Sequence, residues 1–251
     1  MGNLWVGTQR GLDRFDPSRQ SCLHYRHNPS DRFSLSDNWI NCLYRDRSGV
    51  LWIGTNEGGV NQYLPEKNGF ISFRHNPDDV TSLGEDRIIS IIEDDSGNIW
   101  FGTVGAGISK YNKAIAKFKL YHSEFNKPNS LSSDMVRQIF KESQDILWVA
   151  TDGGGLNRID RATGKYTVFR KNPSDPQSIS SNLVFSILKD REGVMWITTA
   201  DGGLNKFDPK KGKFVRYMND PRNPRSISNN FVRTIVEDRA GYLWLGTDGG
   251  G

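Results

Sequence analysis

At 251 residues, the chain is long enough for one large domain or two small ones, and 35% hydrophobic with 25% charged residues places it among globular rather than disordered sequences. The net charge of +4 comes from 33 basic and 29 acidic residues mixed along the chain, which gives little support to nucleic-acid binding. No run approaches the roughly 18 apolar residues of a membrane helix; the start "MGNLWVGTQRG" lacks a secretory pattern; and two cysteines, Cys22 and Cys42, in different slots of the repeat described next do not suggest a disulfide framework.

In chain order, the first predicted strands are Leu4–Thr8, Leu12–Phe15 and Cys22–Tyr25. A long polar crossing, "RHNPSDRFSLSDN", follows, and from Asn38 the chain repeats itself. Trp5, Trp52, Trp100, Trp148, Trp196 and Trp244 are spaced by 47, 48, 48, 48 and 48 residues, and Ser34, Ser82, Ser130, Ser178 and Ser226 keep the same step. Only Trp39 is off this grid. Each repeat parses into four short strands: "NLVFSILKD" is apolar on both faces, "REG" turns into "VMWITT", "ADGG" turns into "LNKFD", and "PKKG" leads to "KFVRYM". The chain then ends on an inner strand, Phe231–Glu237, and the second strand "LWLGT".

A period of 48, short strands and no helical spacing predict an all-β fold, a β-propeller of four-stranded antiparallel blades. Full blades are expected at about 38–85, 86–133, 134–181 and 182–229, with partial blades at 1–37 and 230–251. Two closures stay open. Strand Phe231–Glu237 would pair with Leu4–Thr8 to complete a fifth blade, or the chain is an excerpt of a seven-bladed propeller. Gly251 falls inside a motif, so the end reads as an artificial boundary or a partial reading frame.

The turns after the second strands and the long crossings share one face, where recognition is expected. There, two slots vary from repeat to repeat while the scaffold stays fixed. One holds Trp39, Arg87, Met135, Leu183 and Phe231; the other holds Asn41, Ile89, Arg137, Phe185 and Arg233. Aromatic rings beside guanidinium groups suit a sugar, so Trp39, Asn41, Arg87, Arg137, Phe185, Phe231 and Arg233 are candidate ligand contacts. The competing reading is local packing, or an interface with a neighbouring element. Asp152 and Asp201 lie in turns on the same face and join the candidates. "DGGG" connects two strands and lacks a following Gly-Lys-Ser/Thr, so it is a turn rather than a phosphate loop. His27 and His75 lie on crossings and His24 and His122 stand alone, so no metal site, cofactor or catalytic set is expected.

The phrase shared by Leu51, Trp52, Ile53, Gly54, Thr55, Gly58 and Gly59 and by Leu243, Trp244, Leu245, Gly246, Thr247, Gly249 and Gly250 resembles the two-component regulator propeller repeat. The resemblance implies an extracytoplasmic, periplasmic sensor segment of a hybrid histidine kinase that is itself not an enzyme. It also implies an oligosaccharide ligand and, as partners, a second copy or a neighbouring propeller or β-sandwich domain, with neither nucleic acid nor membrane contacted by this segment. A polysaccharide lyase or glycoside hydrolase, and a purely structural or protein-interaction propeller, are the alternatives. "DDSGNIW" is similar to the aspartate box of sialidase-type propellers, but Arg47, Arg191 and Arg239 replace its second aspartate and its turn chemistry is structural.

Overall fold

A computed structural model describes residues 2–250. The chain divides into two compact units, Met1–Tyr121 and His122–Gly251. All extended segments form antiparallel up-and-down sheets in chain order. In the first unit these are β1 (Leu4–Thr8), β2 (Gly11–Phe15) and β3 (Cys22–Tyr25); then β4 (Ile40–Arg45), β5 (Leu51–Thr55), β6 (Val60–Leu64) and β7 (Gly69–Phe73); then β8 (Ile88–Glu93), β9 (Ile99–Thr103), β10 (Ile108–Asn112) and β11 (Lys117–Tyr121). The second unit holds β12 (Val136–Lys141), β13 (Ile146–Thr151), β14 (Gly155–Asp160) and β15 (Lys165–Phe169); then β16 (Val184–Lys189), β17 (Met195–Thr199), β18 (Leu204–Asp208) and β19 (Lys213–Tyr217); and finally β20 (Val232–Glu237) with β21 (Leu243–Thr247). This is the blade architecture expected of the repeat. In the two incomplete sheets β1 pairs with β2, and β20 pairs with β21.

The core lies between neighbouring sheets. At three interfaces within the units, the tryptophan of one second strand meets the third- and outer-strand rings of the next sheet. Trp5 meets Tyr63 at 4.8 Å, Trp52 meets Tyr111 at 5.6 Å, and Trp148 meets Phe207 at 5.2 Å, with Phe70, Phe118 and Phe214 packed behind. The repeated Leu-Trp-Ile phrase is therefore inter-sheet core, and β5 and β9 are buried along their whole length. Trp244 is the exception at 62% exposed, because its sheet has two strands and nothing within the second unit covers its outer side.

Polar residues of the repeat are consumed by the same construction. In the hairpins, Asp46, Asp94, Asp190 and Asp238 accept the indole N–H of the tryptophan six residues on, at 2.7–3.0 Å; Glu142 does this for Trp148. The hydroxyls of Ser34, Ser82, Ser130, Ser178 and Ser226 accept a backbone N–H six residues earlier and close the crossings. His27 and His75 place Nδ1 against Leu35 and Leu83 carbonyls in those same loops, which accounts for their slot without a metal. Fully buried Asn61, Asn157 and Asn205 accept the N–H, and donate to the hydroxyl, of Ser36, Ser132 and Ser180. Thr55, Thr103, Thr151 and Thr199 donate their hydroxyls to the glycine carbonyls that end the next turn. Gly155 must be glycine: its φ is +86°, and a Cβ would meet the Phe169 carbonyl oxygen at 2.3 Å.

Candidate functional site

Every complete inner–second strand pair carries a β-bulge. The register slips between Ile40 and Cys42, Ile88 and Ser90, Val136 and Gln138, Val184 and Ser186, and Val232 and Thr234. The residue left over is Asn41, Ile89, Arg137, Phe185 or Arg233, which is the second variable slot of the sequence. A bulge frees one side chain from the ladder and re-aims it. The first variable slot lies beside it. The carbonyls of Trp39, Arg87, Met135, Leu183 and Phe231 accept the N–H of Asn56, Val104, Asp152, Ala200 and Asp248, the first residues after the second strands. Three positions per repeat thus meet at one end of each sheet.

In the second unit these positions build a polar-aromatic cluster. Arg137 pairs with Asp152, Nε to Oδ2 at 3.1 Å, and Arg233 pairs with Asp248 at 2.7 Å. Both guanidinium groups lie over Phe185, at 5.2 and 5.9 Å from the ring centroid, and Arg233 also lies 4.9 Å from the Phe231 ring. The two rings are 5.4 Å apart. Both phenylalanines are half-buried, and the two ion pairs differ in exposure: Arg137 and Asp152 are less than one third exposed, Arg233 and Asp248 more than half. Guanidinium over an aromatic face is attractive, and a carboxylate at its edge holds the plane in place.

Five of the nine candidates therefore come together: Arg137, Asp152, Phe185, Phe231 and Arg233. Asp248, a turn aspartate on the same face that repeats the Asp152 slot two periods on, joins them. Asp201 does not take part. It occupies the Gly153 slot, one residue beyond the pairing position, and is exposed in its turn. Trp39, Asn41 and Arg87 belong to the first unit. Trp39 is 44% exposed, Asn41 donates to the Ile88 carbonyl of the next sheet at 3.1 Å, and Arg87 lines a shallow cleft of about 410 Å³ with Asn56, Glu57, Glu85 and Asp86.

The opposite ends of the sheets carry charge networks of another kind. Glu93 accepts the Arg47 N–H at 2.8 Å and Nε at 3.1 Å, and Lys113 bridges Asp46 at 2.6 Å and Glu93 at 3.3 Å. Burial alone pushes the Asp46 carboxyl up, but Lys113, the Trp52 indole, the Ser48 hydroxyl and the Val50 N–H bind its charged form and bring it down to about 2. In the second unit Arg191 makes the corresponding contacts to Glu237 and to the Asp238 and Arg239 carbonyls. Arg47 and Arg191, departures from the aspartate-box pattern, thus clamp one hairpin to the next. His24, which stands alone in the sequence, has Asp13 at 2.7 Å and Cys22 at 4.0 Å on the paired strands β2 and β3, so these three side chains form the metal-compatible group among the described residues.

Segments 34–57, 82–105, 178–201 and 226–249 match the two component regulator propeller family. The chain belongs to that family. The equivalent segment of the remaining repeat, 130–153, carries Glu142 in place of the hairpin aspartate. The regulator propeller is similar over its whole length to the extracellular domain assigned to a hybrid two component system of B. thetaiotaomicron, with 25% identity and a TM-score of 0.74. A second such domain from that organism matches 98% of the chain with 21% identity and a TM-score of 0.65. PorZ, a surface component of the type-IX secretion system of Porphyromonas gingivalis, matches 98% at 17% identity and a TM-score of 0.63. The regulator propeller spans 38%, 39% and 37% of those chains. No curated protein matches it.

Proposed function

We propose that this regulator propeller is part of the periplasmic sensor of a hybrid two-component system. In this reading it recognises an oligosaccharide without turning it over, through Arg137, Asp152, Phe185, Phe231, Arg233 and Asp248. The observation that carries the reading is that the bulge residues, which the sheets do not need for pairing, assemble two guanidinium–carboxylate pairs around two half-buried rings. Each pair sets a donor beside an acceptor and carries no net charge, which matches neighbouring hydroxyls on a neutral sugar. The rings offer the C–H face of a pyranose an apolar surface. Trp39, Asn41 and Arg87 supply the equivalent positions of the first unit. The kinase, and a second copy or a neighbouring propeller or β-sandwich domain, are the partners through which binding is read out.

Calorimetry against a panel of neutral and acidic oligosaccharides tests this, with chromatography of the recovered sugars. Heat from a neutral oligosaccharide, recovered intact and lost in Arg137→Ala and Phe185→Ala, is expected. Shortened or unsaturated products would assign a hydrolase or lyase instead, and no heat from any sugar would assign a protein-interaction propeller.

A further inference from the structure

Near the turns that join third and outer strands, the two units fill the same inter-sheet position with different residues. Between the first two sheets Asn68, at φ +48°, offers its carboxamide oxygen to three donors. These are Arg14 at 3.3 Å, the Tyr25 hydroxyl at 2.6 Å and the Tyr63 hydroxyl at 2.9 Å. Arg14 also donates to the Tyr63 hydroxyl at 2.6 Å. Three 48-residue periods later the equivalent residues are Gly212, Arg158, Phe169 and Phe207. The acceptor amide and both hydroxyls are gone, and the guanidinium remains.

An open cavity of about 990 Å³ lies at this position, its wall including Arg158, Thr167, Phe169, Phe207 and Gly212. Arg158 is half-buried, and its guanidinium makes no hydrogen bond or ion pair among the described residues, although its charge reaches Asp160 two positions along the strand and helps to lower that carboxyl. The acidic groups on the same wall are largely engaged. Glu142 accepts the Trp148 indole N–H at 2.7 Å and faces Lys189 at 3.6 Å; Asp208 accepts the N–H groups of Lys210 and Lys211; Glu192 is exposed. A half-buried guanidinium with no direct side-chain acceptor, set beside apolar rings, is a ready partner for an acceptor that enters the cavity.

We propose that this cavity is a second ligand site, for a small aromatic carboxylate. Its carboxylate takes the place of the Asn68 amide and pairs with both edges of the Arg158 guanidinium. Its ring lies against Phe169 and Phe207. The volume is at the upper end for small-molecule sites, so such an acid enters with water.

Indole-3-acetate and its neutral counterpart indole-3-acetamide are the probes, titrated into the whole chain by calorimetry. The acid binds, the amide binds at least about tenfold more weakly, and Arg158→Met abolishes the difference. A refilled variant, Phe169→Tyr with Phe207→Tyr and Gly212→Asn, restores the residue set that packs between the first two sheets; it melts no lower than the parent and no longer takes up the acid. Equal binding of acid and amide, undiminished binding to Arg158→Met, or no heat from the acid would each overturn the proposal.

Discussion

Trp148 donates its indole N–H to Glu142 at 2.7 Å, in the place where an aspartate serves the hairpins of the other complete repeats. The indole is 1% exposed and touches Phe169 and Phe207. Trp148→Ala is expected to cost about 3–5 kcal/mol in a denaturant melt. Trp244→Ala, which removes the same letter from a 62% exposed position, is expected to cost less than about 1 kcal/mol. Equal losses would mean that burial does not rank these tryptophans.

Acid should weaken the first unit through Asp46. Its carboxyl sits at about 2 when folded, against 3.8 for an ordinary aspartate. Between those values the unfolded chain binds the proton and the folded chain does not, so the contribution is complete above about 4 and is lost as pH falls towards 2. Asp46→Asn should therefore be less stable than the parent at neutral pH, with the gap narrowing across that window. A gap that is constant with pH would remove Asp46 from the account.

The two turn glycines Gly153 and Gly155 separate conformational strain from collision. Both have positive φ, +82° and +86°, but a Cβ at Gly153 meets nothing within 4 Å while one at Gly155 meets the Phe169 carbonyl at 2.3 Å. Gly153→Ala should cost about 1–2 kcal/mol from the left-handed backbone alone. Gly155→Ala should cost clearly more, read as the difference between two denaturant midpoints.

The bulge position should tolerate exchange. Phe185→Leu, which removes the ring but keeps an apolar side chain at the half-buried bulge position, is expected to change stability by less than about 1 kcal/mol. Ile187→Arg, two residues further along the same strand and 3% exposed, should unfold the second unit. Circular dichroism melts distinguish the two, and oligosaccharide affinity is expected to shift in the first.

The period, the strands and the turns were legible because every repeat pays for them with the same letters: the Leu-Trp phrase, the Gly-Asp turns and the crossing serine. The five clustered candidates were legible for the opposite reason, as variation against a fixed background. What escaped was the pairing partner. Residues fifteen apart change together as Asn41 with Asn56, Ile89 with Val104, Arg137 with Asp152, Phe185 with Ala200 and Arg233 with Asp248. That signal acquires meaning only once the bulge fixes which side chain leaves the ladder. Asp201 stands one residue beyond the Asp152 slot, outside this fifteen-residue relation. The exposure of Trp244 could not be read from its motif, since burial of that face is supplied by a neighbouring sheet.

The buried asparagines Asn61, Asn157 and Asn205 grip a serine 25 residues behind them, on the crossing that entered their own sheet. These three crossings are therefore fastened only once the third strand of the sheet they enter is in place. Such a sheet bolts its own doorway from the inside, so opening the entrance loop requires the third strand to let go first.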